Sequence, residues 1–255
     1  GYKVPTSQIT INMAPADIRK EGSAYDLPIA IGIMAASDMI VPDKLSRYLI
    51  MGELGLDGSL MPIRGALPIA IKARELGFEG LILPAQNARE AAVVKGLKVY
   101  GLKNLLEVTR FLNGIQAFEA TEVDTEAEFA AHAFSSDLDF SDVRGQENVR
   151  RAMEVAAAGG HNMLMVGPPG AGKSMMAKRL PSILPPLNLE EALETTKIYS
   201  VSGMMARRKE SDGMSSALIV QRPFRSPHHT ITDVALVGGG TNPHPGEISL
   251  AHNGV

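Results

Sequence analysis

The chain has 255 residues, of which 45% are apolar and 21% charged, and this balance excludes a chain that is disordered throughout. It has no cysteine, which excludes disulfide partners, thiolate zinc sites and thiol catalysis. With 25 basic and 28 acidic residues and a pI near 6.1, a generally basic nucleic-acid-binding surface is not expected. No apolar run reaches the roughly 18–20 residues that span a bilayer. We therefore expect a soluble, cytoplasmic protein that does not act on a membrane.

The N-terminal part alternates strand and helix patterns. Apolar and polar residues alternate at 9–13, which predicts a strand, and a helix is predicted from Asp26 toward Ser37 with the aspartate as its cap. Asp57-Gly58 between apolar runs predicts a β-hairpin. Further along we predict helices near 66–76, 85–94 and 103–112 and strands at 80–83 and 97–100. This alternation indicates an α/β fold with an at least partly parallel sheet.

Charged residues are distributed unevenly along the chain. Residues 111–143 contain eight carboxylates and no Lys or Arg, whereas the rest of the chain has 20 acidic and 25 basic residues. Such a run predicts a solvated linker with a short helix near 126–133; the alternative is an intramolecular mimic of nucleic acid. We therefore expect an N-terminal domain at 1–114, an acidic linker at 115–140 and a C-terminal domain at 141–255.

The C-terminal part carries the most informative motif. Residues 167–174, Gly167-Pro168-Pro169-Gly170-Ala171-Gly172-Lys173-Ser174, fit the phosphate-loop pattern G-x-x-x-x-G-K-[ST] at every fixed position. An apolar run at 162–166 predicts the preceding strand, and the residues from Met175 predict the following amphipathic helix. Glycines let backbone N–H groups curl around phosphates. Lys173 is expected on the β- and γ-phosphates and Ser174 on Mg²⁺, so all eight residues are predicted to bind ATP with its Mg²⁺.

The residues that catalyse ATP hydrolysis are not expected within the phosphate loop. No apolar strand that ends in Asp or Glu follows Ser174, so no residue of this chain is predicted as a catalytic base. The pair Glu190-Glu191 is interpreted as the N-terminus of a helix.

Together these segments resemble the magnesium-chelatase-like AAA+ ATPases of the ComM/YifB family over essentially the whole chain. Besides the phosphate loop, the shared marks are residues 142–147, 157–162, 222–230, 237–240 and 245–255. The resemblance implies a Lon-protease-like (S5-like) α/β domain followed by the N-terminal part of a P-loop AAA+ αβα domain. It also implies a ring-forming, hexameric motor that acts on DNA in recombination or natural transformation. The alternative is a magnesium-chelatase-type ATPase subunit that drives metal insertion into a porphyrin.

The resemblance further implies an internal fragment. In the family, the Mg²⁺-binding acidic pair follows the segment that ends here at Val255, and further strands precede the segment that begins here. We therefore expect the Walker B acid to lie beyond Val255 and the fragment by itself to hydrolyse ATP poorly.

The N-terminal segment departs from the Lon proteases that it resembles. Ala24 stands where those proteases carry the serine nucleophile, and Leu67 stands where they carry the lysine base. A Ser–Lys dyad needs both members within hydrogen-bond reach, and the nearby Ser23, Lys20 and Lys72 do not occupy those places. A peptidase is therefore the least favoured alternative, and we expect a non-catalytic assembly or docking module.

Three other groups of residues are candidates for contacts with DNA, a substrate or a neighbouring subunit. Arg222 and Arg225 are expected to touch a neighbouring subunit or DNA. The loop of Gly238, Gly239 and Gly240 with residues 241–245 is expected to touch the substrate in the central pore, as the resemblance implies. Residues 207–209, Arg-Arg-Lys, are interpreted as a solvated turn, with phosphate-backbone contact as the alternative. We expect no metal at His228-His229, His244 or His252, since adjacent histidines in a strand point to opposite faces.

Overall fold

A computed structural model of the chain describes residues 8–13, 22–132, 138–205, 216–240 and 243–255. The chain divides into two units, residues 1–123 with 203–215 and residues 124–202 with 216–255. The domain boundaries at 114 and 140 that the charge pattern suggests stay predictions. Within the described ranges, none of the helices has the length and apolarity needed to cross a membrane.

The first unit is built on a parallel sheet. Its described strands are β1 (Tyr48–Ile50), β2 (Glu53–Leu54), β3 (Leu60–Met61), β4 (Gly80–Pro84) and β5 (Lys98–Leu102). Three of them form the sheet in the order β1-β4-β5, with Leu49 opposite Leu81 and Ile82 opposite Tyr100. All five residues of β4 are buried, as expected of a strand with elements on both faces. The predicted parallel α/β arrangement is confirmed in this unit.

The β2–β3 hairpin confirms the turn that Asp57-Gly58 predicts. Glu53 pairs with Met61 and Leu54 with Leu60 in antiparallel register. Gly58 has φ 83°, a left-handed conformation that costs glycine little because it has no Cβ. The Asp57 carboxylate accepts hydrogen bonds from the N–H and hydroxyl of Ser59, and these bonds lower the pKa of Asp57.

Four helices of the first unit lie where the sequence predicts them. They are α1 (Asp26–Ala36), α2 (Ala66–Glu75), α3 (Ala88–Ala91) and α4 (Leu105–Leu112), with 3₁₀ turns at Ser23–Tyr25, Pro42–Arg47 and Ala85–Asn87. One detail is wrong: Tyr25 is the N-cap residue of α1, and Asp26 is its first helical residue. At that position a carboxylate still stabilises the positive end of the helix dipole.

The core of this unit packs α1 and α4 against the sheet. Leu27 and Ile31 of α1 are buried together with Ile82 of β4. Tyr48 and Phe111 add an edge-to-face contact, with ring centroids 5.4 Å apart. Such a pair adds about 0.5–1.5 kcal/mol beyond the buried area.

A buried amide holds the segment that leads into α2. Asn87 is 1% exposed; its Oδ1 accepts the N–H of Ile63 at 2.9 Å, and its Nδ2 donates to the Ile63 carbonyl at 2.8 Å. The carboxylate of Glu90, 4% exposed, accepts the N–H of Leu67 in the first turn of α2 at 3.3 Å. Irregular segments inside a core lack backbone hydrogen-bond partners, and these two side chains provide them.

The second unit is mainly helical. Its described helices are α5 (Thr125–His132), α6 (Glu147–Gly159), α7 (Lys173–Arg179), α8 (Leu189–Ser202), α9 (Asp233–Val237) and α10 (Glu247–Leu250). Two-residue strands β6 (Gly238–Gly239) and β7 (His244–Pro245) pair antiparallel, and 3₁₀ turns lie at Phe140–Asp142 and Leu180–Ile183. The helix predicted near 126–133 is confirmed as α5. A core of Phe140, Val143, Met153 and Met176 joins the 3₁₀ turn to α6 and α7.

Two predicted strands are wrong in the described residues. Residues 9–13 and 162–166 lie in no strand. The second segment keeps the alternation of a strand: Met163 and Met165 pack toward the core, whereas Leu164 and Val166 are 87% and 88% exposed. A strand also requires a neighbouring backbone that pairs with it, and no described residue pairs with this segment. The predicted αβα layering around the phosphate loop therefore stays a prediction.

Helix α8 begins at the acidic pair, as predicted. The N–H of Glu191 donates to Asn188 Oδ1 at 2.8 Å, and the N–H of Asn188 donates to Glu191 Oε2 at 2.9 Å. This reciprocal pair is a capping box that satisfies two backbone donors at the helix start.

Two arginines tie irregular segments of the second unit together. Arg222 donates to the carbonyls of Pro185 at 2.5 Å and Asn253 at 2.7 Å. Arg225 donates through Nε and Nη2 to both carboxylate oxygens of Glu247, at 2.5 and 2.6 Å. This two-bond geometry is the strongest form of ion pair at a partly buried site.

We predict that Asn87→Leu lowers the free energy of unfolding of the first unit by about 3 kcal/mol, because the buried N–H and carbonyl of Ile63 lose their partners. Urea denaturation followed by tyrosine fluorescence reports mainly this unit, which contains Tyr25, Tyr48 and Tyr100, whereas the second unit contains Tyr199. The control is Gln116→Leu at an exposed position, with an expected change within about 0.5 kcal/mol. Equal losses in the two variants would contradict the role of Asn87.

We predict that Glu247→Gln destabilises the second unit by about 2 kcal/mol at neutral pH and that this difference shrinks in acid. Hydrogen bonding from Arg225 lowers the pKa of Glu247 below its ordinary value of 4.5. A carboxyl with a lowered folded-state pKa adds stability above its unfolded pKa, and this stability is lost as pH falls through the folded pKa. Calorimetric melting between pH 7 and pH 3 measures the effect, with the exposed Glu190→Gln as control. A difference from wild type that stays constant with pH would refute the pairing.

Candidate functional site

The phosphate-loop residues form a tight turn that leads directly into α7. Gly170 and Gly172 have φ of 80° and 82°, and Gly172 is the N-cap residue of the helix. A side chain at either position would be strained by this left-handed backbone. The first helical hydrogen bond runs from the Met176 N–H to the Gly172 carbonyl at 2.9 Å. The N–H groups of Lys173 and Ser174 precede that bond, so they have no partner within the helix.

The ammonium of Lys173 lies over the beginning of the loop. Its Nζ donates to the carbonyls of Gly167 and Pro168, each at 2.8 Å. The side chain therefore folds back along the turn instead of extending into solvent. Its charge therefore lies against the backbone of the first two residues of the loop.

The loop fits the group that the sequence predicts. A phosphate chain requires N–H donors and a positive charge around a backbone that no Cβ obstructs. Gly170 has no atom within 4 Å of the place where a Cβ would be, and Ser174 is exposed at the start of α7. A hydroxyl oxygen is a ligand that Mg²⁺ accepts. The structure thus brings together all eight predicted residues, from Gly167 to Ser174, in one exposed turn.

The sequence does not predict Gln146 as a member of this site. Its Nε2 donates to the carbonyl of Ala171, in the middle of the loop, at 3.1 Å. Residues 142–147 carry the family resemblance, but no local pattern assigns a contact to one glutamine among them. Only the folded structure shows that Gln146 contacts the loop.

Arg222 and Arg225 both have partners inside the second unit. Their side chains are 16% and 27% exposed. Arg222 makes the carbonyl contacts described above and an ion pair with Glu191 at 3.4 Å, and Arg225 makes the ion pair with Glu247. The contact with DNA or a neighbouring subunit stays a prediction, and the structure adds an internal role for each. Residues 207–209 lie outside the described residues.

The glycine loop is shaped by close backbone contact. Gly238, Gly239 and Gly240 all have positive φ, between 98° and 120°. A Cβ on Gly246 would lie only 2.4 Å from the Gly238 nitrogen, so the chain can pass there only without a side chain. Residues 241 and 242 lie outside the described residues. Exposed apolar side chains flank the loop at Val234, Val237 and Ile248.

The histidine pair does not have the geometry that the sequence suggests. His228 and His229 lie in a loop, with ring centroids 4.1 Å apart, so the rings do not point to opposite faces of a strand. His228 Nδ1 lies 2.8 Å from Thr230 Oγ1. Across the described ranges, no cluster of three His, Asp or Glu side chains is suited to a metal ion.

Ala24 and Leu67, at the positions of the Lon nucleophile and base, carry apolar side chains. Leu67 is fully buried, so a solvent-accessible base cannot occupy that place without rearrangement. The Ala24 carbonyl accepts the Gly52 N–H at 2.9 Å, and the Ser23 hydroxyl donates to Glu53. Lys72 pairs with Glu75 at 3.0 Å on the exposed side of α2. Lys20 lies outside the described residues. No Ser–Lys pair is assembled by the described part of this unit.

Comparisons with known proteins agree on one family. A family model described as magnesium chelatase, subunit ChlI, matches residues 139–255, and a second, described as subunit ChlI of Mg-chelatase, matches residues 1–87. YifB of Escherichia coli is 45% identical over 255 residues, and competence protein ComM of Haemophilus influenzae is 45% identical over 257. Each alignment covers all of this chain and 48% of the relative. The chain therefore spans about half the length of these relatives.

A shorter match reaches Lon protease 2 of Bacillus subtilis, 30% identical over 111 residues, or 42% of this chain and 19% of that protein. This partial likeness agrees with the resemblance seen in the sequence, but it extends over less of the chain than the ChlI models. The two ChlI models and the full-chain similarity to YifB and ComM give the same result: the chain belongs to the magnesium-chelatase-like family that includes ComM and YifB.

Proposed function

We propose that this chain is the nucleotide-binding part of an AAA+ ATPase and that it binds Mg-ATP at residues 167–174. The observation that carries the proposal is the loop geometry, with left-handed glycines at 170 and 172 and the Lys173 ammonium folded over the turn. In this proposal the glycine-rich backbone surrounds the phosphates, and Lys173 neutralises part of their charge. The Ser174 hydroxyl would hold Mg²⁺, which would neutralise further phosphate charge.

For the whole protein, we propose a ring-forming, hexameric motor that acts on DNA in the cytoplasm. The support is the full-chain similarity to a protein named for competence. Charge distribution is compatible with it, because the acidic residues concentrate in 111–143 and leave mildly basic flanks. Arg222, Arg225 and the glycine loop at 238–240 are the proposed contacts to DNA or to a neighbouring subunit.

A second candidate is an ATPase that drives metal insertion into a porphyrin. It is favoured by the matching family models, both of which carry the magnesium chelatase description. A Lon-like peptidase is the weakest candidate, because Ala24 and the buried Leu67 stand where the nucleophile and base would be needed.

We predict that Lys173→Ala weakens binding of Mg-ATP by about tenfold or more, since a charge in direct contact with phosphate is lost. Isothermal titration calorimetry on the 255-residue chain measures the Kd. The matched control is Lys178→Ala, which removes an exposed lysine from the same helix and should leave the Kd unchanged. Equal affinity for ATP in wild type and Lys173→Ala would refute the proposed nucleotide site.

We also predict that single-stranded or branched DNA raises the ATPase rate several-fold. Because the chain spans about half the length of its relatives, this assay uses the complete gene product. Deletion of residues 238–245 is expected to abolish the stimulation while leaving the basal rate. If DNA has no effect and a porphyrin is metallated in an ATP-dependent reaction instead, the chelatase candidate replaces the DNA motor.

A further inference from the structure

The segment that precedes α6 contacts the phosphate loop, the helix that follows it and the 3₁₀ turn after that helix. We name residues 139–146 the tether segment. The Phe140 N–H donates to Ser182 Oγ at 3.0 Å, beyond the C-terminal end of α7. Arg179, near that end, donates through Nε and Nη2 to the Asp142 carboxylate at 3.2 and 3.1 Å. Gln146, the last residue of the tether segment, reaches the loop at Ala171. The tether segment therefore runs beside α7 from its C-terminal end to the loop.

Gln146 has an unusual backbone. Its φ and ψ are 52° and 42°, and the preceding Gly145 also has a positive φ, of 67°. Residues with a Cβ rarely adopt this conformation, and those that do are mostly Asn, Asp or His. Gln146 is the N-cap residue of α6, but its side chain caps no N–H of that helix. Glutamine is therefore not the residue type best suited to this left-handed conformation, and its side chain does not cap α6.

The side chain instead fixes one peptide group of the phosphate loop. Gln146 Nε2 donates to the Ala171 carbonyl, and Ala171 lies between the left-handed Gly170 and Gly172. In a trans peptide the carbonyl and the next N–H point in opposite directions. Holding the Ala171 carbonyl toward Gln146 therefore turns the Gly172 N–H away from Gln146. Because Gly172 has no Cβ, this peptide group would otherwise rotate easily.

We propose that Gln146 is a positioning residue for nucleotide binding, which orients the Ala171–Gly172 peptide so that the Gly172 N–H can donate to a phosphate. This inference rests on the proposed Mg-ATP site and adds to it a residue outside the G-x-x-x-x-G-K-[ST] motif. Gln146 acts through the loop backbone and touches no phosphate itself. Its length is essential, because the amide has to reach across from the start of α6.

The test uses two substitutions that separate positioning from stability. Gln146→Gly relieves the left-handed backbone, and Gln146→Asn places a residue that tolerates it, while both remove the amide from reach of Ala171. We expect both variants to melt at the same temperature as wild type or higher. We expect both to bind Mg-ATP and Mg-ADP about three- to tenfold more weakly, which corresponds to one hydrogen bond lost from the loop. Calorimetric titration and thermal melting of the 255-residue chain measure the two effects.

The control is Glu147→Gln, which changes the exposed neighbouring residue and should leave both measurements unchanged. Wild-type affinity in both Gln146 variants would overturn the positioning role and leave the nucleotide site intact. Weaker binding that is accompanied by a lower melting temperature would also overturn it, because it would show a structural role. If wild type itself binds no nucleotide, the proposed function fails and this inference fails with it.

Discussion

The candidate site depends on a backbone that is left-handed at two positions within three residues. Gly170 and Gly172 both adopt the left-handed conformation, and this places the beginning of the loop next to the start of α7. The contact of Lys173 with the carbonyls of Gly167 and Pro168 is possible only because the chain turns in this way. A Cβ at either glycine would strain the turn, so the geometry rests on two residues that contribute no side chain.

Polar side chains hold irregular backbone in both units. Asn87 satisfies both backbone groups of Ile63 in the first unit, and Arg222 binds two loop carbonyls in the second. Gln146 does the same for the Ala171 carbonyl in the phosphate loop. Segments without regular structure still need partners for their N–H and carbonyl groups. Side chains from neighbouring elements supply these partners, and they also fix the conformations of the loops.

Ala24 and Leu67 stand at the positions where Lon proteases carry the nucleophile and the base, but neither residue can perform that chemistry. The fold around α2 is kept by buried contacts, such as those of Leu67 and of Glu90 with the Leu67 N–H. These contacts stabilise the helix start without providing a nucleophile or a base. A partial likeness in sequence therefore carries no chemistry with it where the reacting residues are absent.

The sequence determined those features that depend on neighbouring residues along the chain. Alternating patterns with turn residues located four helices and the parallel strands β4 and β5 of the first unit, the acidic pair Glu190-Glu191 marked the start of α8, and the glycine spacing predicted the phosphate loop. Strand β1 was not among the predicted strands. The tertiary structure decided what depends on distant partners. The apolar run at 162–166 alternates correctly yet forms no strand among the described residues, because pairing requires a second backbone. Likewise Gln146 joins the phosphate loop and Arg225 joins Glu247 across 25 and 22 positions, and no local pattern records such a contact.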